Sequence, residues 1–98
     1  MASKMAKLRY DWSEAKRVEN LEKHGVDFIG VVEFDWGAAI VVPDGRHDYG
    51  EVRFVAYGPL RGRLHALVFT QRVGVRPIVS FRKANRREQA TYSARMAR

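Results

Sequence analysis

The residues of this 98-residue chain that could do chemistry are three histidines, at 24, 47 and 65, and a set of arginines with few acids near them. That combination suits the cutting of RNA. RNA carries its own nucleophile, the 2′-OH. A protein that cuts it has to take the proton from that hydroxyl, stabilise the charge that grows on phosphorus, and protonate the leaving 5′-oxygen. General acid–base help contributes ~10²–10⁴-fold, and aimed cationic donors can add several kcal/mol. Such a reaction needs neither metal nor cofactor, and the sequence offers no signature of either. There is no cysteine, and the histidines have no ligand-like spacing to one another or to paired acids. No GxSxG and no phosphate-loop pattern occurs.

Of the histidines, His24 is the best placed. It falls in the last turn of a predicted helix, where the negative end of the helix dipole favours the protonated form. That would suit a general acid or a phosphate contact; a simple capping role is the alternative. His65 stands in an alternating strand and reads as a packed side chain, and His47 in a turn reads as solvated. Glu51 is one of only two acids in the second half of the chain. It could be a general base or an ion-pair partner for Arg53. Glu88 and Tyr92, four apart, share one face of a predicted helix. Trp12, Trp36, Phe54 and Phe69 read as core.

Charge is distributed unevenly. Residues 1–49 carry seven Lys/Arg against nine Asp/Glu, and residues 50–98 carry eleven against two. Ten of those eleven are Arg, which suits bidentate contact with phosphate. A polyanion, nucleic acid above all, is the economical partner. An acidic protein is the competing one, and a non-catalytic basic regulator that only binds nucleic acid is a further alternative. There is no signal-type segment and no run of about 18 apolar residues that would span a membrane, so a cytoplasmic location is expected.

The elements that must hold these residues are legible in outline. "LRYDW" (8–12) alternates like a short strand. Ser13 caps a helix over 14–24, closed by Gly25 in the usual left-handed position. Asp27 caps a second, shorter helix, "FIGVVEF". Strand signals follow at 38–42, 51–58, 63–72 and 75–82, joined by short glycine-containing links that mean antiparallel hairpins. Pro77 marks an edge or a bulge in the last strand. From Ala84 the chain reads as a helix with a stripe of Ala90, Ala94 and Ala97. The expected fold is α+β: a small antiparallel sheet of four to five strands, two N-terminal helices and a C-terminal helix. The helices should cover one face. Arg76, Ile78, Ser80 and Arg82 should share a face of the last strand, as should Glu51, Arg53, Val55 and Tyr57 on an earlier one. Residues 1–7 read as a flexible leader before a single domain over 8–98.

Two ordered motifs carry a resemblance. "W-[SD]-x-x-K-x-x-x-N-x-x-K-H-G" is matched from Trp12 to Gly25, and "S-x-R-x-A-x-x-x-E" from Ser80 to Glu88. With "GEVRFVAYG" and "RLHALVFTQR" between them, the chain resembles the BrnT family of type II toxin–antitoxin toxins over about residues 8–95. The resemblance implies a RelE-like fold and a metal-independent ribonuclease that stops translation and growth. It further implies a BrnA-like antitoxin partner through which the complex binds its own promoter DNA, with no oligomer expected outside that complex. Lys23, His24, Arg72 and Arg82 match positions tied to toxicity, with Arg53 and Lys83 in support. His24, Arg72, Arg82 and Glu51 are the candidate catalytic residues. Lys23, Arg53, Arg61, Arg63, Lys83, Arg86 and Arg87 are the candidate RNA contacts. The sequence departs from the family pattern at Pro77, where a β-branched residue is usual, and at Gln71, where an acid is frequent.

Overall fold

The computed structural model describes residues 8–45 and 50–98; the expected leader and His47 lie outside the described residues. The alternating segments pair into one five-stranded sheet in the order β1-β5-β4-β3-β2. The strands are β1 (Arg9–Asp11), β2 (Ile40–Asp44), β3 (Arg53–Leu60), β4 (Arg63–Phe69) and β5 (Val75–Lys83). β2 to β5 form an antiparallel meander. Arg61 and Gly62 both take positive φ, 50° and 78°, at the β3–β4 turn. That backbone matches the twist of a two-residue hairpin.

β1 corrects the expectation of a wholly antiparallel sheet, because it pairs in parallel with β5. A strand separated from its partner by a helix and the rest of the sheet has no hairpin to set its direction. The second N-terminal helix is also corrected. Residues Phe28–Glu33 form a 3-10 helix, and Trp36–Ala38 form another. The reason is visible in the spacing. Phe28, Val31 and Phe34 recur every three residues, the period at which side chains of a 3-10 helix eclipse, and all three are buried in the main core.

The helices do not share one face. The 3-10 segments cover the main core, where Phe28 and Val31 pack with Leu67, Phe69, Ile78 and Phe81. On the opposite face Val55, Ala66 and Val68 form a smaller cluster with Val42, Tyr57 and Val79. Helix α1 (Glu14–His24) docks at the edge of β5, and α2 (Arg86–Met96) leans over the smaller cluster. No residue of α2 is buried, and Ala90, Ala94 and Ala97 are exposed.

A bulge divides the expected face of β5. Phe69 pairs with Ile78 but Val68 with Ser80, so one extra residue, Val79, is inserted. Side chains alternate with period two, and one inserted residue reverses the parity beyond it. Ile78 therefore enters the main core and Arg76 lies over the Trp36 and Phe69 rings, at 4.3 and 4.7 Å. Ser80 and Arg82, paired with Val68 and Ala66, emerge on the other face. Pro77 is compatible with its place because its carbonyl still accepts from the Thr70 amide, 3.0 Å away.

Helix α1 attaches to the sheet in an unusual way. Asn20 is its one buried residue. The Asn20 side-chain amide donates to the carbonyls of Phe81 (2.7 Å) and Val26 (2.9 Å), and its oxygen accepts from the Phe81 amide (3.1 Å). It thus takes the place of a neighbouring strand where β1 has ended. Asn20→Ala would leave three backbone groups without this partner, at ~1–3 kcal/mol for each group left unsatisfied. We expect a loss of about 3 kcal/mol in urea unfolding. Val18→Ala, on the exposed side of the same helix, should stay within ~0.5 kcal/mol.

Candidate functional site

Seven of the residues in the first motif have identifiable work. Trp12 packs edge-on against Phe28, and Ser13 caps α1 by accepting from the Lys16 amide. Gly25 closes the helix at φ 72°, its amide donating to the Leu21 carbonyl. Asn20 docks the helix. The three that remain, Lys16, Lys23 and His24, line a small pocket of about 120 Å³ with Val79 and Ser80 of the β5 bulge. Asn20 and Glu19 complete its wall. Helical spacing places 16, 20 and 23 in one stripe, so fixing Asn20 to β5 brings both lysines to the same strand. Lys16 and Ser80 were not among the residues expected in the site. The stripe 16, 20, 23 was the signal for Lys16; Ser80 could not be placed without the bulge.

His24 is partly buried, and its pKa is held below the ordinary value of 6.5. Burial is the largest cause, followed by repulsion from Lys23 and from Arg82. This reverses the expectation that the helix end would favour protonation: desolvation and two nearby cations outweigh the dipole. At neutral pH the imidazole is therefore uncharged.

Arg82 is fixed by the second motif. Its guanidinium donates two parallel bonds to Glu88, each 2.8 Å. The Glu88 carboxylate also accepts from the Asn85 amide, while Asn85 accepts from the Glu88 amide, completing a capping box at the start of α2. One carboxylate thus starts the helix and orients the arginine, a fork-to-fork geometry that suits Arg and not Lys. Tyr92, one turn later, donates from its hydroxyl to the Ala38 carbonyl at 2.6 Å.

The other expected residues are dispersed. Arg72 and Glu51 pair with each other at 3.3 Å, at the far end of the β4–β5 hairpin. Seven residues of β5 separate that end from Arg82, roughly 20 Å of strand. Glu51 precedes β3 and pairs with Arg72 rather than with Arg53. Arg53 starts β3 opposite Asp44, on the face of Val55 and Tyr57. Arg61 is held by Glu33 in a two-bond pair, 3.0 and 2.7 Å. Arg63 and Lys83 stand with it around a groove on the main-core side. Arg86 and Arg87 are exposed in the first turn of α2. His65 is buried, with Nδ1 2.7 Å from the Arg63 carbonyl and its ring against Phe81. Gln71 uses both halves of its amide, accepting from Arg76 and donating to the Arg72 and Val75 carbonyls. A carboxylate could accept from Arg76 but could not donate to the two carbonyls. Among the described residues, no three His, Cys, Asp or Glu side chains gather as a metal would require. No helix among them is long and apolar enough to cross a membrane.

The electrostatics are testable. The His24 ring should titrate by NMR below the ordinary histidine value, and Lys23→Ala and Arg82→Ala should each move it upward. Because the unfolded chain then binds that proton more readily than the folded one, stability should fall as pH drops through about 6.5 and level off below the folded pKa.

A comparison with curated proteins gives no match. Residues 12–88 match the profile of the ribonuclease toxin BrnT of type II toxin–antitoxin systems. That span runs from Trp12, which opens the first motif, to Glu88, which closes the second. The chain belongs to the BrnT family of ribonuclease toxins.

Proposed function

We propose that this protein is a metal-independent endoribonuclease that cuts RNA by attack of the 2′-OH on the adjacent phosphate. The observation that carries the reading is the convergence of Lys16, Lys23, His24 and Ser80 on one small pocket. Arg82 is near enough for its charge to depress the His24 pKa. In this scheme the neutral imidazole of His24 takes the 2′-hydroxyl proton. The 2′-oxygen–phosphorus bond forms, and Lys16, Lys23 and Arg82 stabilise the added negative charge. The phosphorus–5′-oxygen bond then breaks, and the leaving oxygen takes a proton from Lys23, beside His24. A 2′,3′-cyclic phosphate and a 5′-hydroxyl result. Arg72, with Glu51, stands too far along β5 to share this step and serves as a contact for the flanking RNA, as do Arg53, Arg61, Arg63, Lys83, Arg86 and Arg87.

Cutting RNA would inhibit translation and arrest growth, and the cationic site would be neutralised by a BrnA-like antitoxin that covers it. The promoter-DNA contact of the complex would come from that antitoxin. A RelE-like relation fits the meander with a site on one sheet face, and a cytoplasmic location fits the substrate.

The test is RNA cleavage in excess chelator with analysis of the ends. Activity should persist and the products should carry cyclic phosphates; 3′-hydroxyl ends would contradict the scheme. The pH profile of kcat/KM, which reports the free enzyme, should rise along a limb that follows His24 deprotonation, below 6.5. Arg82→Ala should lower the rate by ~10²–10³-fold, the usual cost of losing one aimed donor. Arg72→Ala should raise KM with little change in kcat, the mark of lost uniform binding. Thermal melts of both variants separate these effects from unfolding.

A further inference from the structure

We infer that the pocket between α2 and the β2–β3 end of the sheet holds one unstacked base of the RNA, beside the phosphate that is cut. The inference rests on the ribonuclease reading and assigns a part of the substrate that the reading leaves open. The pocket holds about 260 Å³. Ile40, Val42 and Tyr57 form its floor, and Tyr92 with Arg87 and Arg95 forms its wall. An apolar floor with two aromatic rings suits the faces of a base, and the arginines suit its phosphates or stack on it through their guanidinium planes.

Position argues for the same occupant. Ile40, Tyr57, Ala66 and Arg82 are paired in register across four strands and point to one face. With strands ~4.8 Å apart, Tyr57 and Arg82 stand roughly 10 Å from each other. That separation lies within reach of a phosphate and a base one nucleotide away. Glu88, the partner of Arg82, also lines the pocket, so the two sites adjoin. The Tyr92–Ala38 bond holds the α2 wall in place, so the pocket is formed before any ligand arrives. Its size favours a base over a protein segment. The volume falls just short of the ~300–1,000 Å³ of ordinary ligand pockets, and a helix needs a channel ~10–12 Å wide.

Thr91 is exposed on the pocket wall, so Thr91→Trp should fill the space without disturbing a core. Short labelled RNAs, intact or with a single abasic nucleotide at each position in turn, are measured for binding by fluorescence anisotropy and separately for single-turnover cleavage. For the wild type, one abasic position next to the cut should weaken binding by about 5- to 150-fold, the usual range for one stacked base. Thr91→Trp should weaken intact RNA by a similar factor and become indifferent to that position. Base-dependent binding without cleavage would support the pocket and refute only the nuclease reading. Cleavage indifferent to every abasic position would overturn the pocket and leave that reading intact. Multiplying effects of the variant and the abasic site would also overturn it. So would a Thr91→Trp protein that binds RNA normally but escapes the antitoxin, since the groove would then be the antitoxin's. Photocrosslinking of 4-thiouridine RNA to the wild type decides the matter should the variant misfold: adducts on Tyr57 or Tyr92 support the assignment, and adducts confined to other peptides reject it.

Discussion

The Asn20 carboxamide joins the helix that carries Lys16, Lys23 and His24 to the strand that carries Ser80 and Arg82. Helix α1 has little else to hold it against β5, since Val18 and Leu21 are exposed and Asn20 is its one buried residue. A primary amide is well suited to the position. It presents a donor and an acceptor at the spacing of a peptide group and still has a second hydrogen for the Val26 carbonyl. An aspartate would offer no donor to the two carbonyls, and an aliphatic residue would leave the strand edge unpaired. The pocket at the β5 bulge depends on this contact, because it sets how near the helix end comes to Arg82.

The second constraint is the double use of Glu88. By capping α2 and gripping Arg82, it makes the start of a helix and the orientation of a cation one structural event. Side-chain exposures of 28% and 18% place the pair in a partly screened setting, so its value lies in geometry more than in stability. A helix with no buried residue is thus held by polar ties at defined points: Glu88 to Arg82, Gln89 to the Ala84 carbonyl, and Tyr92 to the Ala38 carbonyl. That arrangement leaves the apolar sheet surface beneath it partly uncovered.

Burial has a chemical consequence at His24. The helix dipole, read alone, favours the imidazolium. The fold places the ring beside Lys23 and within the field of Arg82 while removing part of its hydration, and the balance turns toward the neutral ring. A basic surface that binds phosphate would raise this pKa again as the substrate's charge arrives, so substrate and proton occupancy are coupled at one ring.

What the sequence determined by itself was local. Ser13, Gly25 and the alternating runs specified α1 and the strands because capping and period-two burial act over a few residues. The two motifs specified the family for the same reason, since each lies within a single helix or a strand-to-helix junction. Asp27 marked the next start correctly, but the three-residue spacing of Phe28, Val31 and Phe34 decided that the segment winds as a 3-10 helix. The tertiary structure alone decided the rest. Parallel pairing of β1 joins residues far apart in the chain, which no hairpin signal encodes. The inserted Val79 reverses the parity of β5, sending Arg76 onto aromatic rings and Arg82 to the opposite face. Arg72 and Glu51 were separated from His24 because strand length sets distance, and a list of basic residues carries none.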